Sequence, residues 1–138
     1  MQIPSRYTIA VHTLLSIAYF EGQTKTTSEF IASSVNANPV VIRQVLQKLK
    51  KAGLATVERG AGGAALARPT DEITLLDVLN AVEGVKGPLF SFHEHPNPAC
   101  PVGAAVKPAL QGRLTAAQHA MEQELAGTSL ADLLKDIK

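Results

Sequence analysis

The sequence predicts a mainly α-helical chain with one small β-hairpin, and three observations support this prediction. Apolar residues recur every three or four positions over several stretches, as they do on the buried face of a helix. Residues that commonly cap helices stand before these stretches. The glycine-rich run 60–63 is flanked by two short segments of weak apolar alternation, which is the pattern of a two-stranded hairpin.

The N-terminal segment is expected to form two helices. Ser5 is a candidate cap for a first helix that ends near Phe20. The run Thr26-Thr27-Ser28-Glu29 has the spacing of a capping box, in which a hydroxyl residue precedes a glutamate by three positions. A second helix is therefore expected from Thr27 to about Val35.

A third helix is expected from Pro39 to about Ala52. Asn38 suits its N-cap, and Pro39 suits the first helical position, where a missing N–H costs nothing. Gly53 suits a left-handed C-terminal cap. The predicted buried stripe consists of Ile42, Val45, Leu46 and Leu49. The opposite face holds mainly polar and basic residues, which include Arg43, Gln44, Gln47 and Lys48.

The next elements are a hairpin, a fourth helix and a loop. Strands are expected over 54–58 and 64–68, on either side of the glycine-rich turn. Thr74 begins another capping pattern, with Asp77 three positions on, and the helix that follows should stop at Gly84. Prolines then indicate a loop that lasts until Pro101.

A long helix is expected from Val102, and it carries a narrow apolar stripe. Such a stripe is typical of a helix that packs on a partner helix. Pro108 should either kink this helix or begin its main portion. Gly127 ends it, and Ser129 begins a last helix that reaches Ile137. The members of the stripe step by three or four positions: Val106, Leu110, Leu114, Ala117, Met121 and Leu125.

Helix, turn, helix and hairpin in this order predict a winged helix-turn-helix, joined here to a long C-terminal dimerisation helix. The predicted units are a DNA-binding domain over 1–84, a loop over 85–101, and the dimerisation and last helices over 102–138. Arg and Gln suit base contacts in the major groove, and an arginine in the wing suits the backbone or the minor groove. The candidate DNA-binding residues are Thr27, Ser28, Asn38, Val40, Arg43, Gln44, Gln47, Lys48, Arg59 and Gly60.

Each of these candidates also has a simpler interpretation. The polar face of the third helix could be a solvated surface, although the hairpin and the preceding helix favour DNA contact. Lys48 is expected to meet phosphate rather than a base. Thr27, Ser28 and Asn38 stand at helix starts, where phosphate binds readily, but capping alone explains them equally well. The glycines beside Arg59 could do no more than permit the turn.

The charge is distributed unevenly along the chain. Residues 1–68 hold eight Lys/Arg and three acidic residues, which gives +5, whereas residues 69–138 hold five and nine, which gives −4. A basic first half is typical of a nucleic-acid footprint. We expect no signal peptide, because Arg6 and several Ser, Thr and His residues interrupt the apolar residues up to Phe20 and no small-residue cleavage site follows. We expect no membrane span, because no apolar run approaches about 20 residues. A single cysteine suits a reducing compartment, so we expect the protein in the cytoplasm.

Six segments in family order resemble the Rrf-two family of bacterial winged-helix transcription regulators. This resemblance implies a homodimer, joined through the long helix, that binds a two-fold symmetric operator. We predict that the protein is a repressor. The later run 93–103 resembles the branch of the family that lacks an iron–sulfur cluster. The six segments are Asn38-Pro39-Val40-Val41-Ile42-Arg43, Lys50-Lys51-Ala52-Gly53-Leu54, Arg59-Gly60-Ala61-Gly62-Gly63, Leu66-Ala67-Arg68-Pro69, Glu72-Ile73-Thr74-Leu75-Leu76-Asp77-Val78 and Ala81-Val82-Glu83-Gly84.

Two departures from the family pattern matter. Cluster-binding members carry three cysteines near this loop, whereas this chain has only Cys100, so we expect no iron–sulfur cluster and no other cofactor. The wing base reads Gly63-Ala64-Ala65-Leu66, where the family more often places a further glycine and an aromatic residue. The side chains at the base of this wing are therefore shorter than in the family pattern.

Two hypotheses for Cys100 stay open. Because Pro101 suits a first helical position, the thiol would lie at a helix N-terminus, where a thiolate is favoured and could sense oxidants. Alternatively, Cys100 is a small buried residue that packs the loop on the long helix. His93, His95 and Cys100 also have the residue types of a zinc site, but we favour hydrogen bonds of the histidines and Asn97 with the loop backbone, and expect no metal.

Three broader alternatives complete the prediction. We find no residues for catalysis, since the glycine-rich run lacks the Lys-Ser/Thr of a nucleotide-binding loop. A small-molecule effector could bind between the winged domain and the long helix. A winged helix can also act as a protein-interaction or assembly module without binding DNA, because function does not follow from fold alone.

Overall fold

Three helices form the N-terminal part of the chain, and local sequence signals set the bounds of the third. In the computed structural model, which describes residues 4–58, 63–83 and 89–137, α1 spans Arg6–Tyr19, α2 spans Ser28–Val35 and α3 spans Pro39–Lys51. Asn38 caps α3, because its Oδ1 accepts from the Val40 N–H at 2.9 Å. Gly53 has a φ of 78° and ends α3, as predicted.

Two helix starts differ from the predicted caps. Ser5 stands at the N-cap of α1, but its side chain makes no capping hydrogen bond within the described chain. Thr27, and not Thr26, caps α2, because its Oγ1 accepts from the Phe30 N–H at 3.1 Å. The predicted capping box between Thr26 and Glu29 is therefore wrong.

The hairpin has two short antiparallel strands, β1 over Ala55–Val57 and β2 over Ala64–Leu66. They are shorter than predicted, but hydrogen bonds continue beyond both ends of the pairing. The Glu58 N–H donates to the Gly63 carbonyl at 3.0 Å, and the Ala67 N–H donates to the Leu54 carbonyl at 3.0 Å. This hairpin is the predicted wing.

A short 3-10 helix over Thr70–Glu72 leads into α4, which spans Leu75–Glu83. The predicted capping pattern is present here. The Asp77 N–H donates to the Thr74 hydroxyl oxygen at 3.1 Å, and the Thr74 N–H donates to the Asp77 carboxylate at 3.0 Å. The two side chains thus satisfy donors that a helix start otherwise leaves unpaired.

Helix α5 spans Pro101–Ala126 and is followed by α6 over Leu130–Leu134. The helix continues through Pro108, so the prediction that Pro108 begins its main portion is wrong. Ser129 and Asp132 form a capping box at the start of α6. The last helix ends before Ile137, whose N–H donates to Leu134, three positions earlier, as in a turn.

One apolar core joins both ends of the chain. Its buried side chains come from α1 to α4, from the start of the wing and from α6, and they are Leu, Ile, Val and Ala. Leu130 of α6 is fully buried in this core. The Leu130 N–H donates to the Ile73 carbonyl, and the Leu75 N–H donates to the Thr128 carbonyl, both at 2.9 Å. The end of α5 is thereby fixed to the start of α4.

Helix α5 behaves differently from the core helices. None of its 26 residues, all of which the structure describes, is buried. A mainly α chain with a small hairpin and a long C-terminal helix is nevertheless the predicted class, which is confirmed. Among the described residues, no helix combines the length and hydrophobicity that a membrane span requires.

Candidate nucleic-acid interface

The side of α3 that faces solvent forms what we call the recognition face, made of Val40, Arg43, Gln44 and Gln47. All four are exposed, whereas Ile42, Val45, Leu46 and Leu49 on the opposite side are buried. Val40 leaves half of its apolar surface in solvent, at 50% exposure. Exposed amide and guanidinium groups beside an apolar side chain can contact base edges and thymine methyl groups.

Three further predicted residues lie at helix starts. The Thr27 hydroxyl oxygen and the Asn38 side-chain oxygen each accept a backbone N–H, so both residues cap their helices. The Ser28 hydroxyl donates to Glu29 Oε2 at 3.2 Å. The structure thus supports the capping interpretation of Thr27 and Asn38, and a phosphate contact through other atoms stays a prediction.

Arg43 is paired with an acidic residue that sequence analysis did not assign to this surface. Its Nη2 lies 3.0 Å from Oε1 of Glu29, with the side chains 53% and 66% exposed respectively. The pKa of Glu29 is lowered, first by its own backbone N–H and then by hydrogen bonds from Arg43 and Ser28. Glu29 belongs to α2 and stands 14 positions before Arg43, so no local spacing signals this contact.

Lys48 lies at the edge of the recognition face. Successive residues of a helix are rotated by about 100° about its axis, so Lys48 is rotated by about 80° from Val40. Its Nζ donates to the Val82 carbonyl at 3.2 Å, near the C-terminal end of α4. A cation there is favourable, since helix C-termini carry partial negative charge. A phosphate contact of Lys48 stays a prediction, and it requires the side chain to leave Val82.

The wing is fixed to the beginning of α2. The Ala64 N–H donates to the Thr26 carbonyl at 2.9 Å, and the Thr26 hydroxyl donates to the Ala64 carbonyl at 2.8 Å. A Cβ on Gly63 would lie 3.2 Å from the Thr26 backbone nitrogen, so the small residue permits this approach. Arg59 and Gly60, the predicted contacts of the wing tip, lie outside the described residues.

Cys100 is exposed at the N-cap of α5, so the hypothesis that it is buried packing is wrong for the single chain. The backbone N–H groups of Gly103 and Val102 lower the pKa of its thiol. The loop before it is held close to the helix, because the Cys100 N–H donates to the Asn97 carbonyl at 3.2 Å. Thiolate formation at a helix N-terminus, the first hypothesis, agrees with this geometry.

His93 and His95 of the same loop are not part of a group of metal ligands among the described residues. His95 is exposed and has a φ of 57°. Its Nε2 lies 3.9 Å from Oε2 of Glu94. Asn97 Oδ1 accepts from the Ala99 N–H at 3.0 Å, which is the loop hydrogen bond predicted for Asn97. Over 4–58, 63–83 and 89–137, no three His, Cys, Asp or Glu side chains stand close enough to hold a metal ion.

The apolar stripe of α5 is partly covered within the chain. Leu114 borders a cleft under Phe90 and Phe92, and Leu125 borders a groove beside α1. Leu110 remains 41% exposed, Ala117 is exposed, and Val106 and Met121 are half-buried. These exposed apolar side chains need a partner surface to leave water.

The groove beside α1 has a volume of about 620 Å³. This volume is in the range of small-molecule sites, which is about 300–1,000 Å³. Its walls come mainly from α1, with further residues from α2, α4, the end of α5, α6 and the segment beyond α6, and they are mostly apolar. The side chains that form them include Tyr7, Val11, Leu15, Tyr19, Leu125, Leu133 and Ile137.

Comparison with known proteins gives matches that cover nearly the whole chain. Residues 3–136 match the Rrf2 family model, described as an iron-dependent transcriptional regulator. YwnA of Bacillus subtilis, whose name assigns it provisionally to the HTH-type transcriptional regulators, is 44% identical over 135 residues, which are 98% of each chain.

Two solved structures share the fold. The crystal structure of a protein tentatively described as DNA-binding is 41% identical, with a TM-score of 0.73 over 94% of this chain and 99% of that one. The oxidised form of Staphylococcus aureus CymR is 26% identical, with a TM-score of 0.75 over 96% and 95% of the two chains.

Proposed function

This chain belongs to the Rrf2 family of transcriptional regulators, and from that premise we propose that it represses transcription as a homodimer bound to a pseudo-palindromic operator. The observation that supports this most directly is the recognition face of α3, where polar and basic side chains are exposed opposite a buried apolar stripe. Two copies of α3 would enter successive major grooves about one helical turn apart.

The proposed contacts divide into base and phosphate contacts. Arg43 would donate to a guanine, and Gln44 and Gln47 would pair with adenines, because these side chains match the hydrogen-bonding edges of those bases. Val40 would contact a thymine methyl group. The remaining candidates would contact the DNA backbone, with Arg59 also suited to the minor groove, and they are Thr27, Ser28, Asn38, Lys48, Arg59 and Gly60.

The exposure of α5 supports the homodimer. Because none of its residues is buried, α5 gains only part of the packing that stabilises a helix from its own chain. A second copy that covers Val106, Leu110, Leu114, Ala117, Met121 and Leu125 would remove their apolar surface from water. The spacing of the two recognition faces would then follow from the geometry of the dimer.

Control of DNA binding is proposed without an iron–sulfur cluster, although the description of the family mentions iron. A single cysteine cannot supply the thiolates that such clusters use, and the described residues form no group of three metal ligands. Two places suit an effector. Cys100 could be oxidised, and the apolar groove beside α1 could bind a small molecule.

The test of DNA binding starts with selection of operator sequences from random DNA by the purified protein. We expect one pseudo-palindrome, bound with an affinity that falls steeply with salt because phosphate contacts release counterions. Arg43→Ala should lower the affinity for the selected site by about 5- to 150-fold and relax the preference for one base pair. Lys48→Ala should weaken all sequences equally and reduce the salt slope by about one.

The alternative is a winged helix that serves as a protein-interaction module. It predicts DNA binding that is absent or insensitive to salt and unchanged by both substitutions. Selection of a single sequence by the wild type, lost in Arg43→Ala, would exclude that alternative.

A further inference from the structure

The Glu29 carboxylate is held by two side chains that are themselves predicted to contact DNA. Oε1 lies 3.0 Å from Arg43 Nη2, and Oε2 accepts from the Ser28 hydroxyl at 3.2 Å. Both oxygens therefore have a partner on the proposed DNA-binding surface. Glu29 and Arg43 line a cleft between α2, α3 and the wing. Gln47 of the recognition face and Gly63 at the base of the wing line it as well.

This set of donors is the one that a DNA phosphate would use. Guanidinium groups, hydroxyl groups and the free N–H groups at a helix start all bind phosphate oxygens. Glu29 stands in the first turn of α2, and its own backbone N–H is the main reason why its pKa is lowered. In the free protein the Glu29 carboxylate thus occupies the position that a DNA phosphate would take.

The ion pair is poorly suited to a purely structural role. Exposed pairs of this kind contribute little to folding stability, because solvent screens them and ordering two long side chains opposes them. The core beneath the pair is complete without it, since Ile31 and Ile42 are fully buried. The position of Glu29 on the DNA-facing surface is therefore better explained by an effect on binding.

We propose that Glu29 is a specificity-determining residue, whose carboxylate competes with DNA phosphate for Arg43 and Ser28 and so suppresses binding to non-operator DNA. This inference rests on the proposed function of the recognition face. On non-operator DNA, Arg43 can gain only a phosphate contact, and Glu29 already supplies an equivalent partner. On the operator, Arg43 gains a base contact that Glu29 cannot replace, so the competition costs less.

The proposal predicts a loss of discrimination rather than a loss of binding when the charge is removed. Glu29→Gln keeps the size of the side chain and removes its charge. We expect the affinity for scrambled DNA to rise up to about fivefold, because an exposed ion pair is worth no more than this, with less than about a twofold change for the selected operator. The salt slope on scrambled DNA should steepen by about 0.9, the contribution of one added phosphate contact.

Glu58→Gln is the matched control. Glu58 is exposed, borders the same cleft and loses the same charge, but its side chain is not part of the Arg43 ion pair. If both variants gain the same affinity for scrambled DNA, the effect is one of overall charge and the proposal is wrong. Circular dichroism and thermal melting should show that both variants remain folded.

A double-mutant cycle separates this inference from the proposed function. In an Arg43→Ala background, Glu29→Gln should lose most of its effect on scrambled DNA, because the main group for which the carboxylate and phosphate compete is gone. A wild type that selects no operator would overturn the proposed function and the inference together. A wild type that discriminates, combined with a Glu29→Gln variant that discriminates equally well, would overturn the inference alone.

Discussion

Thr26 and Ala64 exchange two hydrogen bonds that join the start of the helix-turn-helix to the base of the wing. The Thr26 hydroxyl donates to the Ala64 carbonyl at 2.8 Å, and the Ala64 N–H donates to the Thr26 carbonyl at 2.9 Å. Thr26 is buried, so water does not readily replace these bonds. The position of the wing relative to α2, and hence to the recognition face of α3, depends on this pair.

Thr26→Val should therefore destabilise the protein and weaken operator binding. Valine keeps the shape of threonine but removes the donor to the Ala64 carbonyl, and a partly buried acceptor left unpaired costs up to about 3 kcal/mol. Urea denaturation measures the loss of stability, and titration with operator DNA measures the loss of affinity. Thr26→Ser retains the hydroxyl and should stay closer to the wild type in both. Equal stability of the Val and Ser variants would contradict a role for the hydroxyl.

Gly63→Ala should also destabilise the wing base, for two reasons that can be separated. Gly63 has a φ of 80°, and a Cβ there would lie 3.2–3.3 Å from the backbone of Thr26. Gly22 has the same φ of 80°, but no described atom lies within 4 Å of its Cβ position. Backbone strain of this kind costs about 1–3 kcal/mol, so both alanine variants should unfold at lower urea.

The difference between the two alanine variants measures the contact with Thr26. We expect Gly63→Ala to lose more stability than Gly22→Ala, and only Gly63→Ala to lose affinity for the operator. If the two variants lose equal stability and both bind DNA normally, the close approach of Gly63 to Thr26 contributes neither to stability nor to operator binding.

Local signals in the sequence predicted most of the fold. The caps at Asn38, Thr74 and Ser129 are present, because a capping hydrogen bond joins residues only two or three positions apart. The left-handed residue Gly53 ends α3 for the same reason. The buried stripe of α3 was equally predictable, since it depends only on helical periodicity.

The errors arose where a distant partner competes for a side chain. Thr26 has the spacing of a capping box with Glu29, but its hydroxyl donates to Ala64, 38 positions away. The contact of the Lys48 ammonium with the Val82 carbonyl, 34 positions away, was likewise not predicted, and the phosphate contact of Lys48 stays a prediction. The pairing of Glu29 with Arg43 was missed because it depends on how α2 packs against α3.

The Cys100 thiol should react at lower pH in the folded chain than in the unfolded chain. The N–H groups of Gly103 and Val102 stabilise its thiolate and lower its pKa, and unfolding removes them. Between the folded and the unfolded pKa values, the folded chain is therefore the more reactive. Alkylation rates with iodoacetamide, measured against pH in buffer and in urea, should give a lower midpoint in buffer.

Gly103→Ala is the control for this effect. A Cβ at residue 103 would overlap the carbonyl oxygen of Asn97, so the loop should move away from the start of α5. The alkylation midpoint should then shift toward the value in urea. Coincident profiles of the folded and the unfolded wild type would show that the helix start does not activate the thiol.

Leu110→Glu should convert the proposed dimer to monomers without unfolding the chain. Leu110 is 41% exposed in the single chain and lies on the apolar stripe of α5, so a charge there is tolerated by the monomer but not by an apolar interface. Sedimentation should give the 14.6 kDa of one chain, with unchanged circular dichroism. Operator affinity should fall by about 100-fold or more, because the two half-sites are no longer bound by one linked unit.

His119→Glu adds the same charge to the opposite side of α5, where the residue is exposed, and should leave the dimer intact. If Leu110→Glu sediments and binds like the wild type, the dimer does not form through this stripe.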